Sequence, residues 1–476
     1  GLAVQAYQLR ASSTLHWVIA LAQSLQCKIP VRLVKGAYWD SEIKRTQVNG
    51  IKNYPVFTSK QATDVSYLAC STLILSYPDE IYPQFATHNA HTLAAILTLA
   101  ENHPGYEFQR LHGMGEQLYR QLLKQTSEDI PCRIYAPVGN YQDLLPYLVR
   151  RLLENGANTS FINQVENPEN NIDKVIADPV IYLTELQNQQ SQIPLPSDLY
   201  GKNRKNSEGI NLANPEVLKE LDLELKHFNN TSWHASPIVN GQCISGTSKK
   251  RYNPANNQML IGDIINSKQE TIENAINSAS SAYKHWRLST VQQRAISLQK
   301  TAELIEQNRA ELVSLCVREG VKTIKDALSE IRETVDFCRY YAQSAIELFD
   351  QPLSLAGPTG ESNLLYQYGR GIFVCISPWN FPLAIFTGQI AAALSAGNSV
   401  IAKPAESTSL IAYRASELLI DAGIPIGRFQ LCLGKGSQTG AYLSSSNLID
   451  GVAFTGSTEV AKEIKISLID IGNSEA

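Results

Sequence analysis

No unbroken apolar run in this chain reaches the roughly 20 residues that a membrane-spanning helix needs, and the start at Gly1 carries neither a basic segment nor an apolar leader. An excess of one charge is missing too. Forty-one Lys and Arg stand against 45 Asp and Glu, with pI near 6.1, so no field would gather nucleic acid or an anionic surface. The eight cysteines are scattered, with no C-x-x-C pair and no histidines at metal-ligand spacing; no metal site is expected. Most of them lie in apolar stretches, the setting of reduced, buried thiols in a reducing compartment. Low-complexity tracts and solenoid periods are lacking. So is an initiator Met: Gly1–Tyr7 already reads as a strand, and the start is expected to be internal to a longer protein.

At 476 residues the chain is too long for one ordinary core, and two large domains are expected. From residue 1 to about 160, strand-type runs (2–7, 31–35, 81–87, 106–111, 132–136) alternate with helix-period runs (13–26, 61–76, 90–102, 115–126, 140–155). Five β-then-α units argue for a parallel sheet with crossover helices, either doubly wound or five of the eight units of a barrel. Residues 166–236 are rich in turn formers and read as a linker with two short helices. From 237 to 476 the chain is globular again. A strand is expected over 238–245, a turn at Tyr252–Ala255, helices over 268–286, 291–319 and 322–349, and strands over 364–368, 371–376, 399–402, 429–433 and 451–454. This second βα series has the layout of a nucleotide-binding domain.

Catalytic groups on parallel α/β units gather where strands end. In the first half those ends hold Gln5 and Tyr7, then Arg32, Lys35, Gly36, Ala37, Tyr38 and Trp39, then Thr87, His88 and Asn89, then Gln109 and Leu111, then Tyr135. Amide, cationic and aromatic groups with no Ser-His or Cys-His couple suit a bound planar cofactor better than hydrolysis. Taken singly, His88 reads as a hydrogen-bonded loop histidine more readily than as a ligand, and Trp39 as a packing residue. Arg150, Arg151 and Glu154 read on their own as an ion-pair group on a helix surface.

Five motifs in order, RLVKGAYWDSEIKR (32–45), FATHNAHT (85–92), YEFQRLHGMG (106–115), RIYAPVG (133–139) and YLVRRLLENGANTSF (147–161), resemble the C-terminal part of the proline dehydrogenase barrel of bacterial bifunctional proline utilization A proteins. The resemblance implies a partial (β/α)8 barrel over 1–165 with FAD on its rim. Gln5, Arg32 and Gln109 would lie against the flavin ring, Lys35, Gly36 and Ala37 beside the cofactor, Trp39 against the adenine, and Thr87, His88 and Asn89 around the phosphates and ribose. A fixed cation at Arg32 would stabilise the charge that develops on the flavin. The resemblance also implies that Arg150 and Arg151 clamp the carboxylate of L-proline, that Glu154 stands near its amine, and that Tyr38, Leu111 and Tyr135 wall the ring. Guanidinium forks suit a carboxylate. The family's first barrel strands would lie before Gly1.

The second half carries Ser377-Pro-Trp-Asn-Phe-Pro382, Lys403-Pro404-Ala405-Glu406, Gly434-Lys-Gly436 with Gly440, and Phe454-Thr-Gly-Ser457. The glycines alone fit a helix-capping turn as well as a phosphate cradle. Together the motifs resemble the N-terminal, NAD-binding part of the aldehyde dehydrogenase fold, in its Δ1-pyrroline-5-carboxylate dehydrogenase branch. That implies Asn380 as donor to an oxyanion, Ser377 and Trp379 beside the cofactor, Lys403 and Glu406 on the ribose, and Gly436, Gly456 and Ser457 near the phosphates. The thiolate nucleophile of that family would lie beyond the last residues, and Cys316, Cys338, Cys375 and Cys432 read as core thiols; the second activity is therefore not expected in this chain.

The resemblance as a whole implies an α/β, FAD- and NAD-dependent oxidoreductase of proline catabolism, from L-proline through pyrroline-5-carboxylate and glutamate semialdehyde to glutamate. It further implies a cytoplasmic location with a quinone electron acceptor at the inner membrane face, and leaves homo-oligomerisation open. Rival readings are a catalytically silent fragment and a parent that also represses transcription through a DNA-binding arm ahead of Gly1.

Overall fold

The computed structural model describes residues 1–125, 130–156, 178–186, 193–470 and 472. The chain divides into two compact units, Gly1–Val48 with Asn53–Leu195, and Asn49–Lys52 with Pro196–Ala476.

In the first unit β1 (Leu2–Gln5), β2 (Ile29–Val34), β3 (Ile81–Ala86), β4 (Glu107–Leu111) and β5 (Cys132–Tyr135) form one all-parallel sheet in strict sequence order. Consecutive order without a reversal is how a β/α barrel is built; a doubly wound sheet reverses at a switch point. Side chains alternate along a strand. One face therefore carries Val31, Leu33, Ile81, Phe85 and Phe108, which pack with Leu15, Ile19, Tyr67, Ile74 and Ile96 of the covering helices. On the other face, register sets Arg32 opposite Gln84, Gln84 opposite Glu107, Gln109 opposite Arg133 and Leu111 opposite Tyr135.

The helices of this unit follow the strands at Ala11–Leu25, Lys60–Leu75, Ala90–Leu99, Glu116–Gln125 and Tyr141–Gly156. One more, Trp39–Val48, lies inside the first motif and was not expected from the sequence: only Ile43 and Thr46 on it are buried, too little apolar periodicity to stand out. Ser59 and Asn89 cap their helices, accepting the N–H groups of Ala62 and Thr92.

The second unit holds two further small sheets. One joins β6 (Trp233–Ala235), β10 (Asn256–Ile265) and β9 (Ser248–Asn253); the other pairs β11 (Leu353–Leu355) with β12 (Asn363–Leu365). Its main sheet is six-stranded, in the order β16 (Gly451–Phe454), β13 (Ile372–Ile376), β14 (Ser399–Lys403), β15 (Phe429–Leu431), β7 (Ile238–Val239) and β8 (Gln242–Cys243). The first four are mutually parallel. All five residues of β14 are buried, as a strand covered on both faces requires. The main core lies where Val335 and Cys338 of helix Ile324–Phe349 meet Leu298 and Ile305 of helix Val291–Gln307 and Phe386 and Ile390 of helix Ala384–Ser395.

Two elements differ from those expected. The strand expected over 238–245 is a hairpin, because Asn240 (φ 52°) and Gly241 (φ 74°) both take the left-handed conformation of a type I′ turn. The helix expected over 291–319 breaks at Asn308, whose Nδ2 donates to the Leu304 carbonyl at 2.8 Å. Within the stretch read as a linker, helices Pro179–Leu186 and Pro215–Lys226 are present, and buried Ser207 is held by Asp336 through its N–H (3.0 Å) and hydroxyl (2.8 Å). Among the described residues no helix is long and apolar enough to cross a membrane.

Candidate active sites at two sets of strand ends

The carboxyl ends of β1–β5 bring most of the residues singled out in the first half to one rim. Arg32 is fixed there by two other strands: its Nε donates to Gln109 Oε1 at 2.8 Å, its Nη2 donates to the Tyr135 hydroxyl, and its guanidinium carbon lies 4.7 Å from the Tyr135 ring centroid. Its Nη1 has no protein hydrogen bond among the described residues, so the cation keeps a donor for a further group. Lys35 is paired with Asp64, yet burial pulls its ammonium below the ordinary lysine range. Gly36 (φ 135°) permits a close approach, since a Cβ there would sit 2.2 Å from the Tyr7 ring. Trp39 opens its helix with the indole N–H on the Phe57 carbonyl at 2.7 Å.

Thr87, His88 and Asn89 form the turn from β3 into helix Ala90–Leu99. Thr87 Oγ1 accepts the Asn89 N–H at 3.1 Å, and His88 Nε2 accepts the Leu111 N–H at 3.2 Å, tying this turn to the end of β4. The turn therefore presents a helix N-terminus at the rim, a favourable place for an anionic group. Gln5 ends β1 half-buried, Ala37 is half-buried, and Tyr38 is exposed. Arg150, Arg151 and Glu154 fall on helix Tyr141–Gly156, but their side chains lie outside the described residues.

The sequence reading passed over Glu107. This carboxylate is almost wholly buried on β4 and accepts from Gln84 Nε2 (2.9 Å), Gln109 Nε2 (2.7 Å) and both arms of the Arg133 fork (2.9 and 2.8 Å). The Arg133 contact holds it below the ordinary carboxylate range, against the opposing effect of burial. The signal was present in the sequence: Glu107 and Gln109 flank Phe108 at strand period, two polar residues on one face of a buried strand.

In the second unit the strand order reverses between β13 and β16: β14 and β15 follow β13 on one side, β16 lies on the other. A crevice at such a switch point, beyond the carboxyl ends of the strands, is where open α/β sheets bind ligands. All four motifs of this half end there. Ser377 to Pro382 follows β13, Lys403 to Glu406 ends β14, Gly434 to Gly440 follows β15 and Thr455 to Ser457 follows β16. Gln389 joins the two strands that flank the reversal, donating to Thr455 Oγ1 (3.0 Å) and the Ile376 carbonyl (3.4 Å). Ser377 is buried; Trp379, Asn380, Glu406, Gly436, Gly456 and Ser457 are exposed.

Lys403 is buried, with Nζ donating to the Pro404 carbonyl at 3.1 Å, and burial lowers its affinity for its proton. A Cβ on Gly436 or Gly440 would lie 3.9 or 3.8 Å from the Lys403 chain, so the glycine turn runs directly over this lysine. The turn is a π-helical one, Gly436–Gly440, leading into Ala441–Ser444. Ser457 Oγ accepts the Val460 N–H at 3.3 Å and starts helix Thr458–Asp470.

Two buried carboxylates that the sequence reading did not single out shape this site. Glu330 accepts the N–H groups of Leu383 (2.8 Å) and Ala384 (3.2 Å), capping the helix that follows the Asn380 loop, and pairs with Lys322. Lys322 Nζ also lies 4.4 Å from the ring centroid of Phe381. Glu319 accepts the N–H groups of Leu410 (3.1 Å) and Ile411 (2.9 Å), while Arg251, 3.6 Å from it, donates to the Glu406 carbonyl. Burial pushes the Glu319 carboxyl up to about 7. Burial also pushes the thiols of Cys338, Cys375 and Cys432 up to about 12 and that of Cys316 well above its ordinary range. Exposed Cys243 lies on β8, at the edge of the sheet opposite the crevice. Among the described residues no group of His, Cys, Asp and Glu is placed to hold a metal ion.

A polar rim built around a fixed guanidinium, and a glycine-rich switch-point crevice with a buried lysine, define a chain of two α/β modules, each with a candidate cofactor site. Residues 1–164 match the proline dehydrogenase family and residues 243–469 the aldehyde dehydrogenase family. The chain is 47% identical over 478 residues to the bifunctional protein PutA of Klebsiella aerogenes, covering 97% of this chain and 35% of that protein. A crystal structure of Bradyrhizobium japonicum proline utilization A superposes with a TM-score of 0.87 at 46% identity, covering 98% of this chain and 44% of that one. A structure of 1-pyrroline-5-carboxylate dehydrogenase from Thermus with bound NAD is 29% identical, with a TM-score of 0.53, over 55% of this chain and 51% of that one. The chain belongs to the bifunctional proline utilization A family, and spans about a third of the length of the curated relative named above.

Proposed function

We propose that this chain is part of a bifunctional oxidoreductase of proline catabolism. Its first unit oxidises L-proline to Δ1-pyrroline-5-carboxylate with FAD, and its second belongs to an NAD-dependent module that takes glutamate semialdehyde to glutamate. The observation that carries the first assignment is Arg32, held between Gln109 and Tyr135 with one guanidinium nitrogen unpartnered among the described residues. A cation immobilised in this way suits a cofactor that gains negative charge on reduction. When bound, FAD supplies the two-electron acceptor.

The residues present fit that cofactor. Gln5, Arg32 and Gln109 would meet the flavin ring, Lys35, Gly36 and Ala37 would line its approach, and Trp39 would pack on the adenine. Thr87, His88 and Asn89, at a helix N-terminus, would take the phosphates and ribose. Arg150 and Arg151 would hold the carboxylate of proline and Glu154 its amine, a reading that rests on the family match and the motif alone. Tyr38, Leu111 and Tyr135 would wall the substrate ring and exclude water.

In the second unit Lys403 and Glu406 would hold the ribose of NAD, with Gly436, Gly456 and Ser457 at the phosphates and Ser377 and Trp379 beside the nicotinamide. The buried Lys403 ammonium, donating to the Pro404 carbonyl under a glycine turn, supports this fit. Asn380 would donate its side-chain amide to the substrate oxygen. None of the chain's thiols at this site suits nucleophilic attack, since burial keeps Cys316, Cys338, Cys375 and Cys432 protonated. A membrane quinone as oxidant of the flavin, and a cytoplasmic location beside it, complete the proposal.

The test is anaerobic. The purified chain is loaded with FAD, separated from free flavin and mixed with L-proline. Retained flavin absorbance that proline bleaches supports the reading; a chain that retains no FAD, or whose flavin proline leaves oxidised, refutes it.

A further inference from the structure

We propose that Glu107 is a positioning residue of the first unit: its buried carboxylate decides which way the Gln109 amide points and, through that amide, holds Arg32. The inference rests on the reading of this rim as a flavin site and deepens it.

Gln109 has an acceptor end and a donor end, and Arg32 offers only donors. The contact between Arg32 Nε and Gln109 Oε1, at 2.8 Å, is therefore possible in one amide orientation only. In that orientation Gln109 Nε2 must find an acceptor, and Glu107 Oε1 stands 2.7 Å from it. An ionised carboxylate only accepts. A flipped amide would set its oxygen against Glu107 and its NH2 against the guanidinium, both unfavourable. Glu107 thus excludes the flip without touching Arg32.

Three features make Glu107 fit for this task. It lies two residues before Gln109 on the same face of β4, one layer beneath the rim. It is immobilised from both neighbouring strands, by Gln84 on β3 and by the two-pronged contact of Arg133 on β5. Arg133 also neutralises it, while its own side chain is largely exposed, so the burial of one carboxylate is balanced by a cation that stays hydrated. The result is a row of five groups, Arg133, Glu107, Gln109, Arg32 and Tyr135, with alternating donors and acceptors and no alternative pattern of equal quality.

Glu107→Gln tests this in the full chain, because it keeps the shape and turns one acceptor into a donor. In the FAD-free protein labelled with nitrogen-15 glutamine, the Gln109 side-chain amide protons should be protected from exchange, and Glu107→Gln should lower that protection by roughly tenfold or more. With FAD bound, the variant should change the flavin absorbance band and lower kcat roughly tenfold to hundredfold, as loss of an orienting partner does at other sites, with the KM for proline within about twofold. Gln109→Leu should give a similar loss, and the double variant no further loss, since the two act as one unit.

Unchanged amide protection, a wild-type flavin band with wild-type kcat, or additive losses would each overturn the proposal. Should Glu107→Gln fail to fold, Glu107→Asp keeps the charge but withdraws it by one methylene, and the same outcomes apply. A wild-type chain that takes up no FAD defeats the flavin reading, while the amide exchange still decides whether Glu107 orients Gln109.

Discussion

The Glu330 carboxylate lies 2.6 Å from the Lys322 ammonium and, with its other oxygen, accepts the N–H groups that begin helix Ala384–Ser395. A single side chain on helix Ile324–Phe349 therefore anchors both ends of the contact that shapes the Asn380 loop. Glu330 is fully buried and Lys322 nearly so, which makes breaking the pair costlier than replacing it.

Glu330→Ala should therefore destabilise the second unit by about 3–5 kcal/mol, the usual cost of stranding one member of a buried pair. Urea unfolding followed by tryptophan fluorescence measures it. A loss under about 1 kcal/mol, the scale of an exposed pair, would show that water reaches Lys322.

Two buried carboxylates should give the two units opposite pH responses. Glu319 has its folded value raised to about 7, above the ordinary 4.5, so the folded state binds its proton more tightly than the unfolded one. Its contribution is fully present below about 4.5 and is lost as pH rises through about 7. Glu107 is lowered; its contribution is present above the ordinary carboxylate range and disappears as pH falls through its depressed value. Melting curves from about pH 2 to 8 should flatten for the second unit in Glu319→Gln and lose part of the acid-side decline for the first unit in Glu107→Gln. Unaltered slopes in both variants would contradict the assignment.

Gly36→Ala should damage the rim more than most single methyl additions. The residue sits at φ 135°, and the added Cβ would lie 2.2 Å from the ring of buried Tyr7. Strain and collision together should cost about 2 kcal/mol or more. The melting temperature of the first unit reads it out, with FAD uptake measured in parallel; a variant that melts with the wild type would mean that Tyr7 can withdraw.

Arg32→Lys keeps the charge but not the fork. One ammonium on a flexible stem cannot hold the geometry by which Nε meets Gln109 and Nη2 meets Tyr135. Flavin reduction by proline should slow by roughly tenfold or more, a loss of at least about 1.4 kcal/mol of transition-state stabilisation. Stopped-flow reduction under anaerobic conditions gives the rate, and a rate equal to that of the wild type would show that charge alone is sufficient.

Many residues of both candidate sites were visible in residue order, as groups at strand ends. The turn Asn240-Gly241 shows where such reading slips: the apolar run on either side suggested one strand, while two left-handed residues fold it into a hairpin. Helix Trp39–Val48 escaped because its polar residues outnumber its buried ones, so periodicity had little to register. Arg32, Gln109 and Tyr135 were legible as strand-end residues, but not as partners, since 77 and 103 residues separate Arg32 from the other two. Glu107, Glu319 and Glu330 were not singled out at all. A carboxylate in a sequence is by default a surface group, and only the donors that surround it make its burial tolerable.

The sequence by itself determined the two-module plan, the β-then-α alternation and the strand ends that carry the candidate site residues, because these follow from local periodicity and from motifs of adjacent residues. Tertiary structure alone decided the strand order, with a strict sequence in one sheet and a reversal between β13 and β16 in the other, and with it where the crevice falls. It also decided which buried carboxylate meets which donor. Those outcomes depend on register across strands and on packing between distant helices, and no local pattern encodes a hydrogen bond between residues that only the folded sheet brings within 3 Å.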